Sequence, residues 1–516
     1  MSTPDGLDPA VPPTGTVRDW LDARADAADG AGRVALVFPA TDEAMTWRAL
    51  RDRAASVARG LAYRGIGPGE SVAIMQPNGP DGLVALFAAL YGGFRATMIN
   101  LAAGPDAIGY ALNHCRARLA LVHPDARPAF DDAKPTGIEP VADLATLVTE
   151  DGPGLTAPAP DDHALLMYTS GTTGRPKGVL HSHASLLAGG WTTACAHGLE
   201  PGDRGLCVLP IYHINGLCVT VMGALVSGGS LAVVPRFSAS RFWREVGDGE
   251  ATWFSVVPTI VSHLLHGAGE PDAVARRRLR FGRSASSALA VETQRAFERR
   301  FGVPVVETMG LTETAAQILS NPLPPGTRKV GSPGHAWGCE VEIVGDDLRQ
   351  LPRGEEGEIV VRGPNVMLGY LDDPEATAAA LADGWLRTGD LGRMGADGYV
   401  TVTGRKKELI IKGGENIAPR EIDETLYTHP DVVEAAAFAR PCPRYGERVE
   451  AAVRLRSGAT ATANDLRALC ESRVGAFKAP DVVHLMQELP KGPSGKVQRL
   501  RLAGMLDPGD GSGAVR

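Results

Sequence analysis

Strand-like and helix-like stretches alternate through residues 16–124, and this alternation constrains the fold more than any other feature of the chain. TVRDWLDARADAAD and TWRALRDRAASVARGLAYRG read as helices, RVALVFP and SVAIMQP as strands, and the apolar run GLVALFAALYGGF follows them. Alternation of this kind predicts a layered α/β fold. It resumes later with SLAVVP, ATWFSVVP and VPVVETMG as further strands. Over residues 331–369 the texture changes to short β-rich pieces, EVEIV and GEIVVRG, set between Gly and Pro. A small β-barrel or twisted sheet appended to the α/β body is the expectation there. Past Gly404 a last block alternates helical EIDETLYTHP and TANDLRALCESRV with strand-like VVEAAAFARP and RVEAAVRLR, which suits a compact small α+β domain. The expected organisation is therefore a disordered 1–15, a large N-terminal α/β domain at 16–404, a small C-terminal domain at 405–506 and a disordered tail at 507–516.

A chain of 516 residues exceeds the size of one core, so two or more domains are expected on length alone. Its net charge of -8, from 52 basic against 60 acidic residues, argues against nucleic acid as a partner. Cys115, Cys195, Cys207, Cys218, Cys339, Cys442 and Cys470 are scattered without a CxxC pair, which fits a reducing, cytoplasmic setting and gives no zinc site. The first residues, MSTPDGLDPAVPPTG, lack the charged lead and apolar core of a secretory signal. The most apolar long window, 206–226, is interrupted by Pro210, His213 and Asn215 and is too mixed for a membrane span.

YTSGTTGRPKG, residues 168–178, follows an apolar strand-like lead-in at 164–167 and has the composition of a phosphate cradle. The hydroxyls of Thr169, Ser170, Thr172 and Thr173, the backbone freedom of Gly171 and Gly174 and the cation of Lys177 are what a polyphosphate needs. It is not the GxxxxGK[ST] loop, because Pro176 stands where the second Gly belongs and Gly178 follows Lys177. An ordinary P-loop ATPase is disfavoured.

Further motifs follow in a fixed order: ETMGLTE at 307–313, WLRTGD ending at Asp390, GRKKELIIKGGENIAPREID at 404–423 and LPKGPSGKVQR containing Lys496. Over nearly all of 46–499 this set resembles the adenylate-forming superfamily of acyl-CoA synthetases, adenylation domains and luciferases. In texture it is most similar to the oxalate–CoA ligase branch, through LPIYHINGL, FSASRFW, ATWFSVVPTI, RSASSAL and SNPLPPG. The resemblance implies a large N-terminal domain of three subdomains and a mobile C-terminal domain. It also implies an ATP-dependent acid–CoA ligase that forms an acyl adenylate and pyrophosphate, then passes the acyl group to CoA and releases AMP. The loop from Thr169 to Lys177 would hold the β- and γ-phosphates, Glu313 would hold Mg²⁺, and Thr312 would donate to the α-phosphate. Ser286, Met309 and Gly310 would line the nucleotide site, Asp390 would accept from the ribose hydroxyls, and Arg405 would lie beside it. Lys496 would meet the acyl carboxylate and the α-phosphate, where transition-state charge concentrates. Lys407 aligns with the hinge, and a swing about it would exchange Lys496 for Lys412, Gly413 and Gly414 at the pantetheine tunnel, whose glycines leave room for a narrow arm.

Two departures from the family pattern bear on the ligands. Met309 stands where the family commonly has a Tyr that stacks on adenine, and a thioether can still cover an aromatic face. In RFGRSASSAL, Arg283 and Ser284 replace part of an apolar strand. An arginine beside the acyl pocket would pair with a second carboxylate or a sulfonate of a small acid; the alternative is a structural ion pair away from the pocket. His213 in PIYHING matches the family's residue near the acyl carboxylate, and Trp191, Trp243 and Trp253 either line that pocket or pack. Fatty or aromatic acids, and a carrier protein in place of CoA, remain rival substrates. The chain is expected to act as a monomer or homodimer, without nucleic acid or membrane.

Overall fold

The computed structural model describes residues 7–149, 152–169, 176–492 and 496–506. The alternating segments fold as read, with helices Val17–Asp26 and Trp47–Tyr63 and strands Val34–Phe38 and Ser71–Met75. Thr16 starts the first helix by accepting from the Asp19 N–H, while the Asp19 carboxylate takes the Thr16 N–H. The apolar run beginning at Gly82 becomes the helix Pro80–Tyr91, buried on every side, which explains why its sequence carries no polar face.

Two large sheets carry the N-terminal body. In the nine-stranded sheet, Val34–Phe38, Ser230–Val233, Arg204–Cys207, Trp253–Val256, Phe281–Ser284 and Val305–Leu311 run parallel as successive neighbours. The seven-stranded sheet centres on parallel Arg95–Met98, Ser71–Met75 and Leu119–Val122, with His163–Thr169 and then antiparallel Lys177–Ser182 toward one edge. The element expected at 331–369 is an antiparallel five-stranded sheet that continues to Val400–Arg405. Before completing that sheet the chain sends Gly369–Tyr370 across to pair with Lys177–Ser182, Tyr370 lying opposite Val179.

The C-terminal unit packs helices Pro419–Tyr427 and Ala463–Val474 on a sheet of Glu415–Ile417, Ile410–Lys412, Gly446–Leu455, Val432–Cys442 and Val482–Leu485. It is docked on the larger body. The Ser262 hydroxyl donates to the Val433 carbonyl at 2.9 Å, the Val291 N–H donates to Glu424 at 3.1 Å, and Arg420 donates to the carbonyls of Val402 and Gly331 at 2.6 and 3.3 Å.

Residues 7–15, expected to be disordered, follow a defined path. The Trp191 indole donates to the Asp8 carbonyl and the Trp20 indole to that of Thr14, each at 2.9 Å, and Leu7 packs on the main core. The expected disordered tail at 507–516 lies outside the described residues. Trp191, Trp243 and Trp253 are core residues within apolar clusters. Window 206–226 divides between the end of Arg204–Cys207 and the helical Asn215–Met222 and Gly223–Ser227; among the described residues no helix is long and apolar enough to cross a membrane.

Candidate functional site

Trp253–Val256, Phe281–Ser284 and Val305–Leu311 end side by side, and the crevice beyond the carboxyl ends of parallel strands is where open α/β sheets place ligands. A cavity of about 260 Å³ opens there. Ser286, Met309 and Gly310 from the strand ends, Asp390 and Arg405 from the antiparallel sheet and Lys496 from the C-terminal unit share its wall. Gly310 is forced by packing, since a Cβ would lie 1.5 Å from the Ala316 carbonyl oxygen across the hairpin. Ser286 holds φ +77°, a left-handed conformation that ordinarily selects glycine and that costs a serine on the order of 1 kcal/mol or more.

Asp390 and Arg405 are opposite one another across their strands, and the Arg405 Nε donates to Asp390 Oδ1 at 2.7 Å. This fixes the carboxylate's plane on the cavity wall. Lys496 stands nearby. Burial, helped by the neighbouring Arg405 cation, pushes its ammonium down to about 8, although Asp390, Glu408 and Glu313 pull the other way.

The strand Val305–Leu311 leads into the tight turn Thr312–Thr314, and this turn presents Thr312 and Glu313. The Thr314 hydroxyl bridges the Leu311 and Ala316 carbonyls, and His181 Nε2 lies 2.7 Å from the Thr312 carbonyl. The Tyr370 hydroxyl donates to Glu313 Oε1 at 2.9 Å, and the Lys177 ammonium lies 4.6 Å from the centre of the Tyr370 ring. Thr169 pairs with Lys177 across the two strands that flank the Gly-rich loop. Ser170, Gly171, Thr172, Thr173 and Gly174 lie outside the described residues.

Magnesium is held characteristically by one or two carboxylates together with phosphate oxygens, so a single outward carboxylate is a sufficient protein contribution. Glu313 fits: one oxygen is fixed by Tyr370, and Oε2 has no partner among the described residues. Those residues hold no group of three or more His, Cys, Asp and Glu that could cage an ion by themselves.

Arg283, on the strand Phe281–Ser284, is 1% exposed and is not part of this cavity's wall. Its Nε donates to Gln317 Oε1 at 3.2 Å, and one terminal nitrogen donates to Asn215 Oδ1 at 2.9 Å and to the Ser255 hydroxyl at 3.0 Å. All three acceptors are neutral, and no acidic side chain pairs with Arg283 among the described residues. Burial alone pushes its guanidinium down to about 9. The structural ion pair considered from the sequence is therefore not what this arginine makes. Asn215 Nδ2 donates to the Ser286 hydroxyl at 3.3 Å, which joins the arginine's cradle to the cavity wall. Neither His213, two residues before Asn215, nor Ser284, fully buried at the end of the arginine's own strand, lines the cavity.

Lys412, Gly413 and Gly414 are not part of this cavity. Lys412 lies 3.4 Å from Asp481, with its ammonium 5.3 Å from the Phe477 ring centre, and the two glycines turn the hairpin at φ +61° and +87°. Lys407 is exposed in the short turn Lys406–Glu408 that joins the two units. Glu307, Arg420, Asp423, Glu424 and Arg499 also line the cavity, and none had been expected there. They sit within or beside these motifs; Glu307 belongs to the strand Val305–Leu311, whereas docking of the C-terminal unit brings the other four to the site, and no local pattern encodes that.

Residues 23–371 match the AMP-binding enzyme family and residues 421–496 the AMP-binding enzyme C-terminal domain. The chain is 46% identical over 483 residues to a sulfoacetate–CoA ligase of Cupriavidus necator, covering 90% of this chain and 94% of the relative. It is 36% identical over 467 residues to an oxalate–CoA ligase of Arabidopsis thaliana, covering 87% and 90%. Among solved structures, ATP-bound MatB of Rhodopseudomonas palustris superposes with a TM-score of 0.88 at 29% identity, covering 95% of this chain and 99% of that one.

Proposed function

The chain belongs to the AMP-binding enzyme family, and from that premise we propose that it joins coenzyme A to a small carboxylic acid carrying a second anionic group. It is an acid–thiol ligase that consumes ATP and CoA. Arg283 carries the choice of acid. A guanidinium buried among neutral acceptors is costly, and a second carboxylate or a sulfonate on the substrate would supply the missing countercharge. Sulfoacetate and oxalate, the acids of two relatives, both have such a group.

In the proposed first half-reaction a carboxylate oxygen attacks the α-phosphorus of ATP and pyrophosphate leaves, a step that needs positioning and charge neutralisation more than covalent help. Lys496 meets the charge growing on the α-phosphate, Thr312 donates to that phosphate, Asp390 orients the ribose and Lys177 holds the departing phosphates. Glu313 would hold Mg²⁺, which when bound neutralises phosphate charge. In the second half-reaction the thiol attacks the adenylate after Lys496 has withdrawn and the segment with Lys412, Gly413 and Gly414 has replaced it. We place the enzyme in the cytoplasm, since all seven cysteines are free.

The deciding experiment is AMP release from ATP, with and without CoA, across oxalate, malonate, sulfoacetate, short fatty, long fatty and aromatic acids. CoA-dependent turnover should be confined to the small dianions. In Arg283→Leu, kcat/KM for the preferred dianion should fall about 30-fold or more, the equivalent of roughly 2 kcal/mol for a buried charge left without its partner, with a short neutral-tailed acid spared. Equal loss for both acids would return Arg283 to a purely structural role.

A further inference from the structure

Lys177 and Glu313 carry opposite charges at the phosphate end of the site, and Tyr370 contacts both. Its ring faces the Lys177 ammonium at 4.6 Å, and its hydroxyl donates to Glu313 Oε1 at 2.9 Å. The backbone around it is tied to both partners' elements. Tyr370 pairs with Val179 on the strand that begins at Lys177, the Leu368 N–H donates to the Leu180 carbonyl at 2.8 Å, and the Met367 N–H donates to the Glu313 carbonyl at 2.8 Å. Asn365 adds a 2.9 Å bond to the Thr314 carbonyl. The short crossing segment therefore fixes the Gly-rich loop's exit strand against the Thr312–Thr314 turn, and the tyrosine stands between the charges that those two elements present.

We infer that Tyr370 is a positioning residue that keeps Lys177 and Glu313 apart and available, the lysine for phosphate and the carboxylate for the magnesium that accompanies it. A lysine and a glutamate sharing one small polar site attract each other strongly at contact distance, and a collapsed pair would offer neither charge to a nucleotide. The ring gives the ammonium a partner that a phosphate can displace, because cation–π attraction is weak at exposed sites. The hydroxyl occupies one carboxylate oxygen and leaves Oε2 in place for the cation. This inference rests on the proposed assignment of Glu313 to the magnesium end.

Nucleotide binding measured by calorimetry without acid or CoA separates the parts. Tyr370→Phe keeps the ring and removes the hydroxyl. Its Kd for ATP with Mg²⁺ should rise about tenfold, the size of a lost hydrogen bond to a charged group, while Kd for ATP in EDTA stays at the wild-type value. An unchanged Kd with Mg²⁺, or equal weakening in both conditions, would overturn the hydroxyl's role. Tyr370→Leu removes the ring as well, and ATP in EDTA should then also bind about tenfold more weakly as Lys177 pairs with Glu313. Adding Glu313→Gln to Tyr370→Leu should restore that affinity; no restoration would overturn the separating role. Glu313→Gln alone guards the premise. If it keeps the wild-type preference for Mg²⁺, the metal assignment fails; if it loses that preference while Tyr370→Phe does not, only the tyrosine inference fails.

Discussion

Lys496 and Arg283 are cations held where burial favours their neutral forms, and the proposed function gives each a different negative charge to meet. For Lys496 this has a pH signature. Its ammonium, pushed to about 8 by burial and by Arg405, is protonated below that pH and loses its charge above it. The role proposed for Lys496 in adenylation requires the charged form, so kcat/KM for ATP, followed by pyrophosphate release, should fall about tenfold per pH unit above roughly pH 8. Discharge of supplied acyl adenylate by CoA should lack that limb, and Lys496→Ala should abolish pyrophosphate release while sparing the discharge. A limb present in both half-reactions would remove Lys496 from its assigned step. Sequence motifs single out Lys496 and Glu313, and the structure places the first on the cavity wall and the second in the turn beside Tyr370. Arg283 was legible as a charge in an apolar strand, but its neutral cradle was not, because Asn215 lies 68 residues away and Gln317 lies 34 away. Tyr370 gave no sequence signal, since its meaning depends on a strand crossing between sheets.

At the scale of elements, the hairpin of Val305–Leu311 and Ala316–Ser320 decides where Thr312 and Glu313 point. Gly310 faces Gln317 across the ladder and approaches the Ala316 carbonyl so closely that a methyl group cannot be admitted without moving one strand. Gly310→Ala should therefore lower stability by about 2–4 kcal/mol, read as a drop in thermal midpoint, with pyrophosphate release falling more than fluorescence or circular dichroism would suggest. A variant with wild-type midpoint and turnover would mean the hairpin relaxes freely. The strand itself was plain from VPVVETMG. Its turn was not: Ala315 and Ala316 adopt φ +45° and +84°, conformations that a reader expects of glycine or asparagine, so the sequence carries no turn residue at the place where the chain reverses. The helix Pro80–Tyr91 hid for a related reason, because a helix buried on all sides has no periodicity to read.

For the whole molecule, the division into a large α/β body and a small C-terminal unit follows from segment texture, whereas the docking that completes the cavity depends on tertiary contacts. Arg420 and Glu424 of the helix Pro419–Tyr427 make those contacts, the first to the carbonyls of Val402 and Gly331 and the second to the N–H of Val291. Facing them is Glu307, whose carboxyl is pushed up to about 6 by burial and partly drawn back by Arg420. Arg420→Ala should shift the population away from the docked arrangement by about tenfold, the size of one or two charge-assisted bonds, and slow adenylation accordingly while sparing CoA discharge. The sign of its pH dependence follows from the acids left behind. Without Arg420, Glu307 and Glu424 lose the charge that favours their ionised forms, and docking then buries carboxylates that prefer to be protonated. Their raised pKa makes docking easier at low pH and harder as pH rises through it, so the deficit relative to wild type should be smaller at pH 6 than at pH 8. A deficit that is constant with pH, or one shared by the discharge step, would show that Arg420 supports the fold rather than the docked state.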